Sequence, residues 1–309
     1  MKWKVCFIGL GSIAARHIKN LNDIFQKDIA IDVLRSGNGK DLDKELVDMI
    51  GTVYFESSEL PTDYDVIFIT NPTRLHYETL QKVKNNAKHF FIEKPVFETG
   101  NEDIEALELN EDSIYYVACP LRYTNVIQYL KENIDFSKVY SMRCISSSYL
   151  PDWRPGIDYR NTYSARKELG GGVSIDLIHE WDYICYLLGS PQRVSSFIGR
   201  KSNLEINSDD LAIYIAEYPD KFVELHLDYL GRKTIRKMEL FTEEDSIEAD
   251  LIEQKIIFRK SGVAVDLNEN RDSFQKKELL HFFAIIEGSC ENDNTIATAC
   301  RTLRITKGN

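Results

Sequence analysis

At 309 residues the chain is too long for one ordinary hydrophobic core and calls for about two domains of roughly 100 to 200 residues each. With 43% hydrophobic and 28% charged residues it has ample apolar surface to bury, and no low-complexity stretch reads as a disordered tail. A net charge of -11 excludes broad electrostatic affinity for nucleic acid or anionic lipid, which needs clustered Lys and Arg.

The first residues, MKWKVCFIGLGSIAARH, begin basic and apolar as a signal peptide does, but the apolar part is only a strand long and runs into a glycine turn and a charged helix. No run approaches the roughly 18 apolar residues that span a bilayer, so a cytoplasmic protein is expected. Up to about residue 120, β-branched apolar runs alternate with amphipathic segments. Lys4–Ile8, Ile29–Leu34, Val66–Thr70, Phe90–Glu93 and Ile114–Ala118 are predicted strands, with room for a helix between each pair, the pattern of a parallel sheet with helical crossovers. From Val139 the rhythm changes. Val139–Ser147, Leu211–Tyr218, Phe222–Leu230, Ile235–Phe241 and Lys255–Arg259 follow one another closely, as in an antiparallel or mixed sheet, and predicted helices over Asp272–Glu287 and Thr295–Lys307 close the chain. The expected fold class is α/β: a doubly wound, dinucleotide-binding domain over residues 1–120 and an α+β, substrate-binding and oligomerisation domain over 121–309. Cys6, Cys119, Cys144, Cys185, Cys290 and Cys300 show no CxxC or other metal-ligand spacing, so no metal site is expected and the thiols read as buried and reduced.

Doubly wound sheets bind ligands at the carboxyl ends of their strands, so the loops there carry the argument. After the first predicted strand, GLGSIAARH matches the GxGxxA dinucleotide fingerprint: Gly9 for the tight turn, Gly11 for close approach of a pyrophosphate, Ala14 for helix packing. The amides of Ser12 and Ile13 would face the phosphates. Asp32 has the spacing of an acid that binds the ribose diol of NAD, but it lies inside IAIDVLRSG, and Arg35 and Ser36 occupy the strand's end. An Arg and a hydroxyl there suit a 2′-phosphate, which favours NADP, with NAD as the alternative. The third loop, TNPTRLH, adds Thr70, Asn71, Pro72 and His76 as cofactor-side candidates by position. The fourth strand ends in FIEKPVF, placing Glu93 and Lys94 before Pro95, whose peptide bond could be cis; partial desolvation would suit Lys94 to proton transfer.

In the second half, Gly170–Tyr183 reads GGGVSIDLIHEWDY, with an acid and a histidine three apart on one helix face. Spacing alone leaves Asp176 and His179 open between a capping acid with a core histidine and a pair facing a cleft. On a continuous helix, Asp176, His179, Tyr183 and Tyr186 form a stripe without Lys or Arg, which suits a cleft wall. The preceding segment carries Trp153, Arg154, Tyr159, Arg160, Tyr163 and Arg166: aromatic faces stack on sugar CH surfaces and guanidinium forks bind carboxylate or phosphate, though such residues also mark subunit contacts.

GLGSIAARH, TNPTRLH, EKP and GGGVSIDLIHEWDY, in this order and at these separations, resemble the Gfo/Idh/MocA oxidoreductases, and the resemblance covers nearly the whole chain. It implies a Rossmann domain followed by a domain on a largely antiparallel open sheet whose free face serves homo-oligomer assembly. It also implies a nicotinamide cofactor and hydride transfer at a carbinol carbon of a sugar, cyclitol or similar polyol. On the matching positions, it makes Lys94 the proton-transfer or substrate-orienting residue and places Asp176 and His179 at the nicotinamide from the second domain. Arg122, in PLRY, resembles the Arg-aromatic pair after the last Rossmann strand. Many members have DxGxH, with the histidine four residues after the acid, where this chain has three. The form DLIHEWDY after YLPDWRPGIDYRNTYSARKELGGG resembles the branch found with surface-polysaccharide and nonulosonic sugar biosynthesis. The expected function is NAD(P)-dependent oxidation or reduction of a sugar, sugar acid or nucleotide-sugar, with Lys94, Trp153, Arg154, Tyr159, Tyr163, Asp176 and His179 on the substrate, which the arginines favour as acidic or phosphorylated. The alternatives are a non-catalytic NAD(P)-binding sensor on the same fold and a reductase of a non-sugar compound.

Overall fold

The computed structural model of the chain describes residues 2–37 and 44–308. Its strands are β1 (Trp3–Ile8), β2 (Ile29–Leu34), β3 (Val53–Tyr54), β4 (Tyr64–Ile69), β5 (Ala87–Ile92), β6 (Tyr115–Val117), β7 (Val139–Ser147), β8 (Arg193–Gly199), β9 (Leu211–Glu217), β10 (Phe222–Asp228), β11 (Ile235–Thr242), β12 (Ser246–Asp250), β13 (Lys255–Phe258) and β14 (Ala264–Asp266). Its α-helices are α1 (Ser12–Phe25), α2 (Lys44–Val47), α3 (His76–Val83), α4 (Asn125–Asn133), α5 (Val173–Asp176), α6 (Ile178–Leu188), α7 (Ser273–Ile286) and α8 (Ile296–Thr306). The chain forms two units, one of residues 1–119 with Gln275–Arg301, the other of Pro120–Phe274 with the last residues. The division thus differs from a split at residue 120, because Gln275–Arg301 belongs with the first unit.

In the first unit the strands lie in the order β3-β2-β1-β4-β5-β6, and every pairing is parallel. Val5, Phe7 and the whole of Val66–Ile69 have no exposed surface, so these strands are buried on both faces and read as continuous apolar runs. Chain order reverses between β1 and β4, and the ends of these two strands flank the switch point. No α-helix bridges β5 and β6, contrary to expectation; only a single 3-10 turn, Glu105–Leu107, lies there. The reason is local. Glu102 accepts the amides of Thr99 and Gly100, Asp103 that of Ala106 and Asn110 that of Asp112, so short polar side chains take backbone donors a helix would use. The returning segment packs Phe282 on Phe68, Phe91 and Tyr116, and Phe283 on Trp3 and Phe25. Asn294 continues the β6 edge, its carbonyl accepting from the Val117 amide at 2.9 Å and its side chain donating to the Val117 carbonyl at 2.7 Å.

The sheet of the second unit runs β14-β13-β12-β11-β7-β10-β9-β8. Its pairings are antiparallel except that β7 and β10 are parallel. Side chains alternate between faces. Met142, Cys144, Tyr214, Val223, Leu225, Met238 and Leu240 point into a core that includes Trp181, Tyr183 and Ile184, while Phe197, Ile213, Ile215 and Phe222 are exposed. Charged residues ladder across strands: Arg143 faces Glu224 and Glu239, and Lys237 faces Glu248 and Asp250.

The three glycines before α5 each answer a different constraint. Gly170, at φ +81°, closes a 3-10 turn and has open space where a Cβ would be. A Cβ on Gly171 would lie 1.9 Å from the carbonyl oxygen of Tyr163, and one on Gly172, at φ +138°, would lie 2.2 Å from Oδ1 of Asp209. Asp209 in turn seats the start of α5, its backbone carbonyl accepting from the Val173 amide and its carboxylate from the Ser174 amide, both at 2.9 Å. The expected continuous helix is broken: α5 ends at Asp176, Leu177 departs from helical geometry at φ -99°, ψ 30°, and α6 starts at Ile178.

Two stability measurements follow from this packing. Gly170→Ala meets only the left-handed backbone penalty of about 1–2 kcal/mol, whereas Gly171→Ala must displace a backbone carbonyl and lowers the urea unfolding free energy by more; equal losses would contradict the close approach. Glu180 is fully buried and accepts from Nε of Arg236 at 2.6 Å. Arg236→Ala, which strands that carboxylate, costs about 3–5 kcal/mol in the same assay, and an E180L/R236L pair regains most of the loss.

Candidate active site

In the first unit the loops at the strand ends are pinned to one another. Gly9, at φ +91°, passes so close to Asn71 that a Cβ would sit 2.8 Å from the Asn71 Cα. The Thr70 hydroxyl donates to the carbonyls of Ile8 and Gly9 at 3.1 and 2.9 Å, tying the ends of β1 and β4. Gly11 is the N-cap of α1, and a Cβ there would meet nothing within 4 Å. The chain's own packing therefore does not require glycine at 11. The first turn carries no acid and no side-chain cap, and Ala14 is fully buried. This uncapped helix start, open at Gly11 and Ser12, has the form that accepts a phosphate.

Asp32 is committed elsewhere, accepting from the Thr52 amide and the Tyr64 hydroxyl, both at 2.8 Å. Arg35 and Ser36 follow the last residue of β2, Arg35 half-buried and Ser36 exposed. Asn71 donates to the Thr79 hydroxyl at 2.7 Å, and Pro72 is the exposed N-cap of a 3-10 turn. His76 is buried with its two ring nitrogens 2.8 and 3.1 Å from the carbonyls of Asn71 and Val96, and burial pulls its pKa below the usual imidazole value. It works as a pin between two loops, its one N–H donating to one of the two carbonyls.

The end of β5 contains a buried pair that the sequence reading missed. His17, on α1, lies with Nε2 2.6 Å from Glu93, and Glu93 also accepts from the Lys94 amide at 3.2 Å. Burial alone would raise the Glu93 carboxyl, but the His17 hydrogen bond and charge, with Lys94 and His76 nearby, bring it below its ordinary value. The fingerprint helix is thereby bonded to the residue beside Lys94. Lys94 is half-buried, and its bond to Pro95 is cis.

In the second unit the contacts form a circuit around one carboxylate. Tyr229, next after β10, donates to Asp176 at 2.6 Å. Burial, then the Asp176 charge, pushes the Tyr229 phenol above its usual value, so it stays a protonated donor, and the Tyr163 phenol is raised as well. Trp153 meets Tyr229 edge-on at 5.2 Å while its indole donates to the Ser148 hydroxyl at 2.9 Å, and the Arg154 guanidinium lies 5.6 Å over the ring of Tyr163. The circuit runs from Asp176 through Tyr229 to Trp153, and Arg154 with Tyr163 lies beside it. Asp176 is buried at 7% exposure, and His179 is half-buried three residues on.

Several expected contributors stand apart from this circuit. Tyr159 accepts from the Glu205 amide at 3.2 Å, and Arg160 is held by Asp158 and Glu205. Arg122 is 3% exposed, gripped at 2.9 and 2.7 Å by both oxygens of Asp182 and stacked 5.0 Å over Tyr186, so its guanidinium braces the start of the second unit. Tyr183 is wholly buried in the core, so the polar stripe expected to wall a cleft stops at His179. Tyr229 was not singled out by its sequence context; its one signal was a place at the end of a predicted strand.

A sequence model of the Gfo/Idh/MocA oxidoreductase family, NAD-binding Rossmann fold, matches residues 3–114, and one of the Gfo/Idh/MocA C-terminal domain matches residues 127–248. The uncharacterized oxidoreductase YrbE of Bacillus subtilis (strain 168) is 27% identical over 188 residues, 59% of this chain and 53% of that protein. The chain thus spans about half the length of that curated relative, and 32% of D-xylose dehydrogenase of Paenarthrobacter nicotinovorans, 29% identical over 125 residues, 39% of this chain. In fold it is similar to the WlbA dehydrogenase of Bordetella pertussis, solved with NADH and UDP-GlcNAcA, at a TM-score of 0.79 and 14% identity, covering 100% of this chain and 95% of that one. No helix among the described residues is long and apolar enough to cross a membrane. With both parts of one family's architecture matched in order along it, the chain belongs to the Gfo/Idh/MocA oxidoreductase family.

Proposed function

We propose that the protein is an NAD(P)-dependent oxidoreductase that transfers a hydride to or from a secondary alcohol carbon of a sugar, sugar acid or nucleotide-sugar. The observation that carries this reading is the Asp176 carboxylate, buried yet held by the hydroxyl of Tyr229, three residues before His179. Such an arrangement fixes an acceptor where a sugar hydroxyl or an imidazole N–H can be oriented. The levoglucosan and UDP-N-acetylglucosamine dehydrogenases that share the fold act on substrates of this kind by name.

The nicotinamide dinucleotide, when bound, supplies the redox chemistry. Gly11 and the amides of Ser12 and Ile13 hold its pyrophosphate, and Gly9, Thr70, Asn71 and Pro72 shape the loops beside it. Arg35 and Ser36 take the 2′-phosphate of NADP, with NAD the alternative. In oxidation Lys94 or His179 accepts the hydroxyl proton as hydride leaves the carbinol carbon; in reduction the same group returns it. Asp176 orients His179 or a neighbouring substrate hydroxyl, and Tyr229 keeps Asp176 in place. Trp153 offers a face to the sugar ring. The exposed apolar residues Phe197, Ile213, Ile215 and Phe222 on the free sheet face suit a homo-oligomer contact in a cytoplasmic protein.

Turnover on a panel of neutral, acidic and nucleotide-linked sugars tests the reading. Lys94→Ala and His179→Ala are each expected to lower kcat by about 10²–10⁴-fold while dinucleotide binding, followed by fluorescence, is unchanged. Tyr229→Phe retains binding and loses activity by about tenfold or more, the loss of one charged hydrogen bond. Dinucleotide binding without turnover of any sugar would identify a sensor, and activity confined to an imine or tetrapyrrole would move the substrate class. In the same titrations NADPH binds more tightly than NADH, and Arg35→Ala removes that preference; tighter NADH binding by the unaltered protein overturns the assignment of Arg35 and Ser36.

A further inference from the structure

The parallel pairing of β7 and β10 brings their carboxyl ends out at the same edge of the sheet. The pairing continues past both strands, with the Ser148 amide donating to the Asp228 carbonyl at 3.3 Å and the Leu150 amide to the Tyr229 carbonyl at 3.2 Å. Two short segments are thus held side by side, one carrying Tyr149, Trp153 and Arg154, the other Tyr229 and Arg232. Gly231 permits this contact, since a Cβ there would lie 2.2 Å from the Ser147 hydroxyl.

The two arginines are held in an unusual way for this chain. Acids outnumber bases 49 to 38, and several guanidinium groups elsewhere in the unit close on carboxylates: Arg122 on Asp182, Arg160 on Asp158 and Glu205, Arg236 on Glu180. Arg154 and Arg232 instead lie over aromatic rings, Arg154 above Tyr163 at 5.6 Å and Arg232 above Tyr149 at 3.6 Å. Neither forms an ion pair among the described residues. Nearby acids are engaged by other donors. Asp228 accepts from Ser147, His226 and the amides of Leu230 and Gly231, and Asp209 from the Ser174 amide. A ring below a guanidinium fixes its plane and leaves its edge N–H groups, the ones that form two-point bonds to carboxylate or phosphate, directed away from the ring. Both are solvent-exposed, and Arg154 follows directly on Trp153, which packs on the tyrosine, Tyr229, whose hydroxyl donates to Asp176.

We infer that Arg154 and Arg232 form the anion-reading part of the substrate site, so that the substrate carries a carboxylate or phosphate group beside the reacting hydroxyl. This rests on the reading of Asp176 as part of the reacting centre. It narrows the substrate class to sugar acids, sugar phosphates and nucleotide-sugars, and it adds Arg232, which no motif marked.

The test is calorimetric titration of the full-length protein, at low and high salt, with matched pairs: glucose against glucuronate, glucose against glucose 1-phosphate, and UDP-GlcNAc against UDP-GlcNAcA. The anionic member of at least one pair is expected to bind about tenfold or more tightly, with the advantage shrinking in high salt. Glucuronate and glucose 1-phosphate separate a carboxylate from a phosphate preference, and the UDP pair isolates the sugar carboxylate. Arg154→Gln and Arg232→Gln each reduce that advantage by about tenfold and leave NAD(P)H affinity unchanged, with thermal unfolding confirming that both variants fold. Equal binding of both members in every pair, no binding of any anionic member up to millimolar concentration, or an undiminished preference in both variants overturns the inference. NAD(P)H titration of the unaltered protein is the separate arm: loss of nucleotide binding with the arginine-dependent preference intact sinks the oxidoreductase reading and leaves the anion site standing.

Discussion

The approach of Gly171 to the carbonyl of Tyr163 is the constraint on which the second unit's arrangement turns. No side chain fits between them, so the aromatic loop and the start of α5 are clamped together at backbone distance. That clamp places the Tyr163 ring within reach of Asp176, one short helix away. Asp209 works on the same joint from the other side, where Gly172 leaves room for its carboxylate, which accepts from the Ser174 amide while its backbone carbonyl accepts from the Val173 amide. A flexible sequence is held in place because the Gly170 and Gly171 amides donate to the carbonyls of Lys167 and Arg166 and the Gly172 carbonyl accepts from α5. The glycines give up conformational freedom to allow this contact, and the hydrogen bonds and ring contacts around Asp176 offset the cost.

The two units place their chemistry by different means. In the first, parallel strands buried on both faces end together, and side chains such as Thr70 and His76 tie one strand end to the next. The pair of His17 and Glu93 extends the same logic, linking the helix that begins at the glycine turn to the strand end that carries Lys94. In the second, a mostly antiparallel sheet has one parallel pair, and it is at that irregularity that Trp153, Tyr229 and Asp176 meet. Regular sheet supplies rigidity, and the departure from regularity brings these three side chains together.

Much of this was legible in the sequence because periodicity reports burial directly. Val139–Ser147 shows the alternation of a one-sided strand and is one, and β1 and β4 read as apolar runs because both their faces are covered. The strand end at Leu34 was readable too, which located Arg35 and Ser36 beyond it and Asp32 within it. Other features depended on partners far along the chain. β12 contains Glu248 and Asp250, poor strand formers alone, whose charges are met by Lys237 and Arg259 from neighbouring strands. β8 is an edge strand with adjacent serines, and β3 is two residues long. The break at Leu177 hides inside a good helical pattern. Tyr183 was misplaced for the same reason: residue type and spacing cannot distinguish a polar group at a cleft from one enclosed in the core, as Tyr183 is. The circuit around Asp176 joins residues 153, 176 and 229, and no local pattern ties them.

The return of Gln275–Arg301 to the first unit has a consequence for how the protein is made. Phe282 and Phe283 supply part of that unit's aromatic core, and Asn294 completes the bonding of its last strand. An emerging polypeptide can pair β1, β2 and β4 early, but it holds an unfinished core until Gln275–Arg301 has left the ribosome. The second unit's sheet, whose strands lie wholly between Val139 and Asp266, is synthesised before the first unit can close. The first unit's strands therefore wait on residues made after that sheet, and during the interval the β6 edge and the surface that receives Phe282 are the parts of the nascent chain in need of protection.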